Sequence, residues 1–107
     1  NVYRNAKIDF TNTDNTTVYT SPSNSRAIIK SILVSDDSGS GDSINVTLTD
    51  ASAAVFSLFK TKTIGSNATT ELISQPIILQ ESEILKAQAT TAGRLHMIVS
   101  LLEINRD

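Results

Sequence analysis

Apolar and polar residues alternate with a period of two in several short segments of the chain. In the segment INVTLT, the side chains of Ile44, Val46 and Leu48 lie on one side of an extended chain, and polar side chains lie on the other. This alternation is typical of a strand with one face buried and one face in water. The same period in Ala6–Phe10 and in Ile84–Ala89 predicts two further strands.

Two longer segments are apolar on both sides of the predicted strand. Arg26–Ser35 and Arg94–Ile104 are dense in Ile, Leu and Val. Because β-branched residues favour extended chain over helix, both segments are predicted as strands. A strand that is apolar on both sides is typical of the middle of a sheet that is covered on both faces. We therefore expect both strands to be central, and Arg26–Ser35 to be shielded from water on both sides.

Turn-forming residues separate these segments from further predicted strands, among them Thr16–Thr20 and Val55–Ile64. No segment combines a helical period with helix caps. About eight short strands, separated by turn signals at short intervals, predict an all-β fold, an antiparallel β-sandwich of the jelly-roll type. We expect residues 1–107 to form a single β-sandwich domain, with residues 1–5 as a short N-terminal arm and residues 105–107 as a C-terminal tail.

Composition narrows the functional classes. The chain has no Cys and therefore no disulfide and no thiolate metal site. Nine Lys and Arg residues stand against 11 Asp and Glu residues, which gives a net charge of −2. These charges are spread along the chain, whereas nucleic-acid binding needs clustered basic residues. No apolar run approaches the roughly 18 residues that a membrane span requires. We expect neither nucleic acid nor a membrane as a partner.

The acidic segment DDSGSGD, Asp36–Asp42, is the first candidate site. Its three aspartates offer oxygen ligands of the kind that Ca²⁺ prefers. The spacing differs from the EF-hand pattern, and no glutamate follows at the distance of a bidentate ligand. Its two glycines supply the positive φ that a reversing chain needs. We interpret the segment as the turn of a β-hairpin, with a cation site as the alternative, and we expect replacement of its acids by Asn to have little effect.

His96 and a pair of glutamates are the remaining candidates for chemistry. His96 is the only histidine and lies between apolar residues of a predicted strand, and no G-x-S-x-G motif surrounds any serine. We expect it to face solvent or a neighbouring subunit. Glu81 and Glu83 lie where a turn is expected, and the chain has few aromatic residues for a sugar-binding cleft. The sequence therefore predicts no catalytic residues, no metal site, no cofactor and no enzyme activity.

The order of strands and turns in two long segments carries a family resemblance. The segments are TTVYTSPSNSRAIIKSILVSDDSGSGDSINVTLTD and TELISQPIILQESEILKAQATTAGRLHMIVSLLEI, within Thr16–Ile104. They are similar to small β-sandwich virion structural proteins of tailed bacteriophages, in which a strand pair of the pattern VYT.P....AI[IV]KSI.V.N precedes an alternating VTL strand. Asp36 stands where that pattern has Asn, and Glu83 stands where it has Asp. Neither difference changes the predicted fold.

The resemblance implies a non-enzymatic structural protein located in the virion. It implies a capsid decoration (cement) protein that binds the outer face of the head shell. The partners would be the major capsid protein or other virion proteins, and further copies of the chain in a homo-oligomer such as a trimer. The alternatives are a tail, neck or fibre-base component of the virion, and a carbohydrate-binding β-sandwich module that uses Asp36–Asp42 as its sugar loop.

The N-terminal segment supplies the candidate docking residues. Val2, Tyr3 and Arg4 form the possible docking arm, because Tyr and Arg recur as anchors of protein interfaces. Such an arm would order on docking by adding a strand to an exposed sheet edge. The alternative is a frayed terminus.

Overall fold

The chain folds into two antiparallel β-sheets. A computed structural model describes residues 1–106, and within this range it contains nine strands and no helix. The strands are β1 (Val2–Asp9), β2 (Thr16–Thr20), β3 (Ser25–Asp36), β4 (Asp42–Thr49), β5 (Val55–Ile64), β6 (Thr69–Glu71), β7 (Ile77–Leu79), β8 (Ile84–Ala89) and β9 (Leu95–Asn105). Accordingly, no helix in the described part of the chain is long and apolar enough to cross a membrane.

The strand order is that of a jelly roll. Sheet A has the order β1-β9-β3-β6, with β7 also paired to β3, and sheet B has the order β2-β8-β4-β5. The chain reverses between β4 and β5, and its two halves then pair outward from that turn: β4 with β5, β3 with β6 and β7, β2 with β8, and β1 with β9. This long hairpin is rolled up, so that β9 also pairs with β3 and β8 with β4. The predicted all-β, antiparallel β-sandwich is confirmed, and β6 and β7 share the position of one strand beside β3.

The hydrophobic core lies between the two sheets. Ile44 and Val46 of β4 are fully buried, and Leu85 and Ala87 of β8 pack beside them. From sheet A, the odd-numbered residues of β9 from Leu95 to Leu101 fill the opposite side of the core. The period of two therefore places the apolar side chains of β4 and β8 inward, as the sequence predicts.

The N-terminal residues belong to sheet A, which corrects the prediction of a loose arm over residues 1–5. Val2–Asp9 runs antiparallel to β9, with Val2 opposite Glu103 and Asp9 opposite His96. The backbone groups of β9 on this side find their partners in β1, and this pairing orders a segment whose own side chains do not alternate.

The C-terminal tail is also shorter than predicted. Asn105 is the last residue of β9, opposite Ser25. The Arg106 backbone N–H donates to the Asn24 carbonyl at 2.8 Å, which attaches this residue to the turn before β3. Asp107, the last residue of the predicted tail, lies outside the described residues.

The acidic segment is not the turn of a hairpin, which corrects a second prediction. It connects β3 of sheet A to β4 of sheet B, and these two strands are not neighbours in either sheet. Asp36 ends β3 and Asp42 begins β4. The segment is therefore a crossover between the two sheets, and a local signal for chain reversal does not reveal which sheet receives the next strand.

Candidate functional site

The outward-facing side of sheet A is the candidate functional surface. In antiparallel sheets, directly paired residues lie on the same face. Tyr3 of β1 pairs with Leu102 of β9, which pairs with Ile28 of β3, which in turn pairs with Ile78 of β7. All four side chains point away from the core, and Tyr3 and Ile78 are 74% and 57% exposed. They form an apolar row across the whole sheet.

A second row of outward-facing residues crosses the sheet further along the strands. Ile98 of β9 pairs with Leu33 of β3, and these side chains are 44% and 37% exposed. The two ends of this row are charged, because Ile98 also pairs with Lys7 of β1 and Leu33 also pairs with Glu71 of β6. Ser100 and Ser31 pair between the two rows, so small side chains separate them. We define the sheet A face as the outward-facing apolar residues of both rows and the neighbouring strand end: Tyr3, Ile28, Leu33, Ile78, Ile98, Leu102 and Ile104.

The outward-facing side of sheet B is polar along its central strands, whereas its edge strand β5 begins with the exposed apolar residues Val55 and Phe56. Its central strands β4 and β8 present hydroxyl, amide and ammonium groups on the side away from the core: Ser43, Asn45, Thr47, Thr49, Lys86 and Gln88. The central strands of the two sheets therefore differ in the chemistry of their outward-facing sides. The sheet A face contains the outward-facing apolar residues that led to the prediction that β3 and β9 are covered on both sides.

The predicted docking residues lie on β1, the edge strand of sheet A. Tyr3 belongs to the sheet A face, and the Lys30 Nζ lies 5.8 Å from the centroid of its ring. Val2 and Arg4 point toward the opposite side of the sheet, because they pair with the inward-facing Glu103 and Leu101. The structure thus separates the three residues onto two sides of one strand. Their docking role stays a prediction.

A buried glutamate, which the sequence did not single out, links the two sheets. Glu103 of β9 is buried, and its Oε2 accepts a hydrogen bond from the Tyr19 hydroxyl of β2 at 2.5 Å. Arg4 Nε lies 3.3 Å from the other carboxylate oxygen. Burial, and then the hydrogen bond to Glu103, raise the pKa of the Tyr19 hydroxyl well above its usual value. The buried carboxylate of Glu103 is therefore both paired with a cation and hydrogen-bonded, and it connects β9 to β1 and β2.

The crossover loop is organised by one buried carboxylate. Asp36 Oδ1 accepts hydrogen bonds from the backbone N–H and hydroxyl of Ser38, at 3.1 and 2.5 Å. Its Oδ2 accepts from the backbone N–H groups of Gly41 and Asn67, at 2.9 and 3.1 Å. The Ser38 hydroxyl bond is the main reason that the pKa of Asp36 lies well below its usual value. The carboxylate therefore fixes the loop and ties it to the β5–β6 turn.

Gly41 shows why the loop needs glycine. Its φ is +71°, and a Cβ at this position would lie 3.0 Å from the Ile64 carbonyl oxygen. Gly39 also has a positive φ, which confirms the conformation predicted for both glycines.

The loop does not present its acids as a cation site. Asp36 is occupied by its four donors, and Asp42 Oδ2 accepts from the Thr91 backbone N–H at 2.8 Å. Asp37 points instead toward His96. Within residues 1–106, no group of three His, Asp or Glu side chains is arranged to share a metal ion. The sugar-loop hypothesis for Asp36–Asp42 therefore gains no support from this geometry.

His96 lies on the outward side of sheet A, partly exposed, as predicted. Its Nε2 is 3.1 Å from Asp9 Oδ1, and its Nδ1 is 3.7 Å from Asp37 Oδ2. Both ring nitrogens thus face carboxylates, whereas a histidine that activates a nucleophile needs one nitrogen directed at a hydroxyl or thiol. The three residues form an acidic end of the sheet A face.

The glutamates of the β7–β8 turn have separate roles. Arg106 Nε donates to Glu81 Oε2 at 2.7 Å, and this hydrogen bond lowers the pKa of Glu81 and raises that of Arg106. Glu83 accepts from the Gln80 backbone N–H at 2.7 Å. These contacts are typical of a surface turn and a chain end, in keeping with the sequence interpretation.

Comparisons with known proteins establish the fold alone. No protein-family model and no curated protein sequence match the chain. A solved structure of the disulfide-linked pili of Bacillus endospore appendages is similar, with a TM-score of 0.56 and 11% identity over 99% of this chain and 88% of that one. A structure of the Gt strain of infectious bursal disease virus has a TM-score of 0.47 and 8% identity, over 97% of this chain and 30% of that one, which is too distant to carry an argument. The tailed-phage resemblance stays a prediction.

Proposed function

We propose that the protein is a non-enzymatic structural protein of a bacteriophage virion, and specifically a capsid decoration protein on the outer face of the head shell. The observation that carries this proposal is the sheet A face. A folded protein that works alone rarely leaves so continuous an apolar surface in water, and such surfaces mark contacts with other macromolecules.

The jelly-roll fold supports a structural role. This architecture recurs in viral capsid and lectin domains. The protein that shares the fold forms the disulfide-linked pili of Bacillus endospore appendages. The family resemblance of Thr16–Ile104 favours a virion over a pilus.

A decoration protein stabilises a shell through the area that each copy buries and through the number of copies bound. Each copy adds buried area between neighbouring capsid subunits, and many weak contacts in one lattice sum to a large stabilisation. The proposed partner is the major capsid protein. The outer edge of β1, which includes Val2 and Arg4, is the proposed contact with the shell, because an edge strand offers backbone groups to which a segment of the shell protein can add.

The test is a phage whose gene for this protein is deleted. We expect heads to assemble and package DNA but to release it at a lower temperature and at low ionic strength, and purified protein added back to restore both tolerances. Cryo-electron microscopy of the restored particles would show the protein at repeated positions on the head. Density on the tail, neck or fibre base instead, or failure of head assembly, would overturn the decoration role.

A further inference from the structure

We propose that the sheet A face binds a second copy of this chain, in a two-fold symmetric dimer in which the two sheets A pack face to face. This inference goes beyond the proposed function, because it concerns the chain in isolation and requires no shell.

The residue pattern of β3 and β9 is the first argument. These strands carry apolar residues on both sides, which is the pattern of strands covered on both faces. The fold covers only one face of each, and Ile98 and Leu33 stay exposed in the middle of the sheet. The central strands β4 and β8 of sheet B carry ordinary polar residues on their outer side, so apolar outward-facing central strands are specific to sheet A. The exposed apolar residues of sheet B, Val55 and Phe56, lie at the start of its edge strand β5.

The arrangement of the sheet A face is complementary to itself. The apolar row from Tyr3 to Ile78 and the second row, which is apolar at Ile98 and Leu33, lie on either side of the Ser31–Ser100 pair. Consider a two-fold axis that lies in the plane of the interface, over this serine pair and perpendicular to the strands. It brings each row of one copy onto the other row of the partner. Ile98 then meets the partner's Leu102, and the charged ends of the second row, Lys7 and Glu71, come onto the ends of the partner's apolar row. The serines at the axis are small, and the neighbouring Lys30 side chain lies over the Tyr3 ring, so the sheets can approach there.

Charges at the two ends of the sheet A face match in the same way. Arg26 lies on the outward side at the start of β3, beside Ile104. Asp9 and Asp37 flank His96 at the other end. The same two-fold operation places the basic end of one copy near the acidic end of the other, twice in each dimer. Electrostatic complementarity of this kind sets the register of an interface.

The area of the face is sufficient for a dimer. Four strand positions about 4.8 Å apart give a width of about 19 Å, and eight residue steps along β9 at about 3.4 Å give a length of about 27 Å. The flat area is then about 500 Å² for each copy, so that the two copies together bury about 1,000 Å², the least area expected of a biological interface and typical of one that dissociates on dilution.

The first experiment is sedimentation velocity of the full chain over a dilution series. We expect a species of twice the 11.5 kDa chain mass that dissociates on dilution. Ile98→Lys places a charge in the middle of the sheet A face and should abolish the dimer. Thr17→Lys, an exposed position on the outer side of sheet B, is the matched control and should leave the dimer intact. Circular dichroism verifies that both variants fold.

The second experiment tests the register. Arg26→Glu alone creates like charges at both ends of the interface, and so does the double change Asp9→Lys, Asp37→Lys. We expect each variant to dimerise at least about tenfold more weakly than the parent chain. In a mixture of the two variants, each substituted end faces a group of opposite sign, and the mixed dimer should form.

The outcomes are decisive in both directions. A parent chain that stays monomeric at high concentration, that forms a trimer, or that dimerises equally well as Ile98→Lys would overturn the proposal. Failure of the mixed variants to associate would overturn the two-fold register. Neither result bears on whether the protein is found on the head, so this proposal and the proposed function fail separately.

Discussion

At the scale of single residues, two buried acids hold the parts of the fold that local patterns do not determine. Asp36 accepts hydrogen bonds from residues of its own loop and from Asn67, which is 31 positions away. Glu103 accepts from Tyr19, which is 84 positions away. The sequence shows both acids, but it does not show the donors that will surround them. This is why the expectation that Asn could replace the acids of the crossover loop does not extend to Asp36.

The first prediction concerns Asp36. Asp36→Asn should lower the melting temperature at neutral pH by several degrees, because an amide nitrogen cannot accept the hydrogen bonds now made to one carboxylate oxygen. Asp37→Asn, which changes an exposed carboxylate, is the control and should have little effect. The measurement is thermal unfolding followed by circular dichroism.

The pH dependence gives the Asp36 prediction its sign. The pKa of Asp36 is lowered in the folded protein. Its contribution to stability is therefore present above the ordinary aspartate pKa of about 3.9 and is lost as the pH falls from there toward the folded-state value. The stability difference between the parent chain and Asp36→Asn should shrink on acidification below about pH 4. A difference that stays constant down to about pH 2 would show that the carboxylate charge is unimportant.

The second prediction concerns Tyr19. Tyr19→Phe removes the hydroxyl that donates to buried Glu103, and we expect a loss of about 1–3 kcal/mol in the free energy of unfolding, measured by urea denaturation. Tyr3→Phe removes an exposed hydroxyl and should have no measurable effect. Because the pKa of Tyr19 is raised in the folded state, its contribution is complete below about pH 10 and is lost at higher pH. Equal stabilities of the two Phe variants would argue against the bond between Tyr19 and Glu103.

At the scale of strands, hydrophobic periodicity predicts the strands that have one buried and one solvent-exposed side. It fails for segments whose residues do not alternate between apolar and polar. The clean alternation in β4 and β8 gives their positions and their buried sides. The first residues of β1 do not alternate, and they are ordered only by the unpaired edge of β9, whose position depends on the whole fold. Strand order has the same origin: pairing of β1 with β9 joins the two ends of the chain, and no local pattern contains that information.

The third prediction concerns a strained residue in β5. Thr61 has a φ of +53° at a bulge opposite β4, a conformation that a β-branched residue adopts at a cost. Thr61→Gly should raise the free energy of unfolding by about 0.5–1 kcal/mol, since relief of strain exceeds the entropy cost of glycine. Thr63→Gly, in regular strand backbone of the same β5, should lower it by about 1 kcal/mol. Urea denaturation measures both, and a destabilising Thr61→Gly would contradict this account.

At the scale of the whole molecule, the mismatch between sequence and fold indicates the candidate binding surface. The sequence predicted β3 and β9 as central strands, and they are paired at the centre of sheet A. It also predicted that β3 would be shielded from water on both sides. This prediction is wrong for the single chain, because Leu33 on the outward-facing side is partly exposed. A hydrophobic pattern records every surface that is buried in the working protein, including those buried by a partner. The candidate surface was therefore present in the sequence as an excess of apolar residues, but only the fold shows that the chain itself does not cover it.

The last prediction follows from dimer formation through the sheet A face. If only folded chains associate, dimer formation stabilises the folded state by mass action. The melting temperature of the protein then depends on its concentration. We expect the melting temperature of the parent chain to rise by a few degrees for each tenfold increase in concentration. That of Ile98→Lys should be independent of concentration, and that of Thr17→Lys should follow the parent chain. Differential scanning calorimetry at several concentrations measures all three. Melting temperatures that are independent of concentration for all three proteins would mean that the sheet A face does not bind a second copy of the chain.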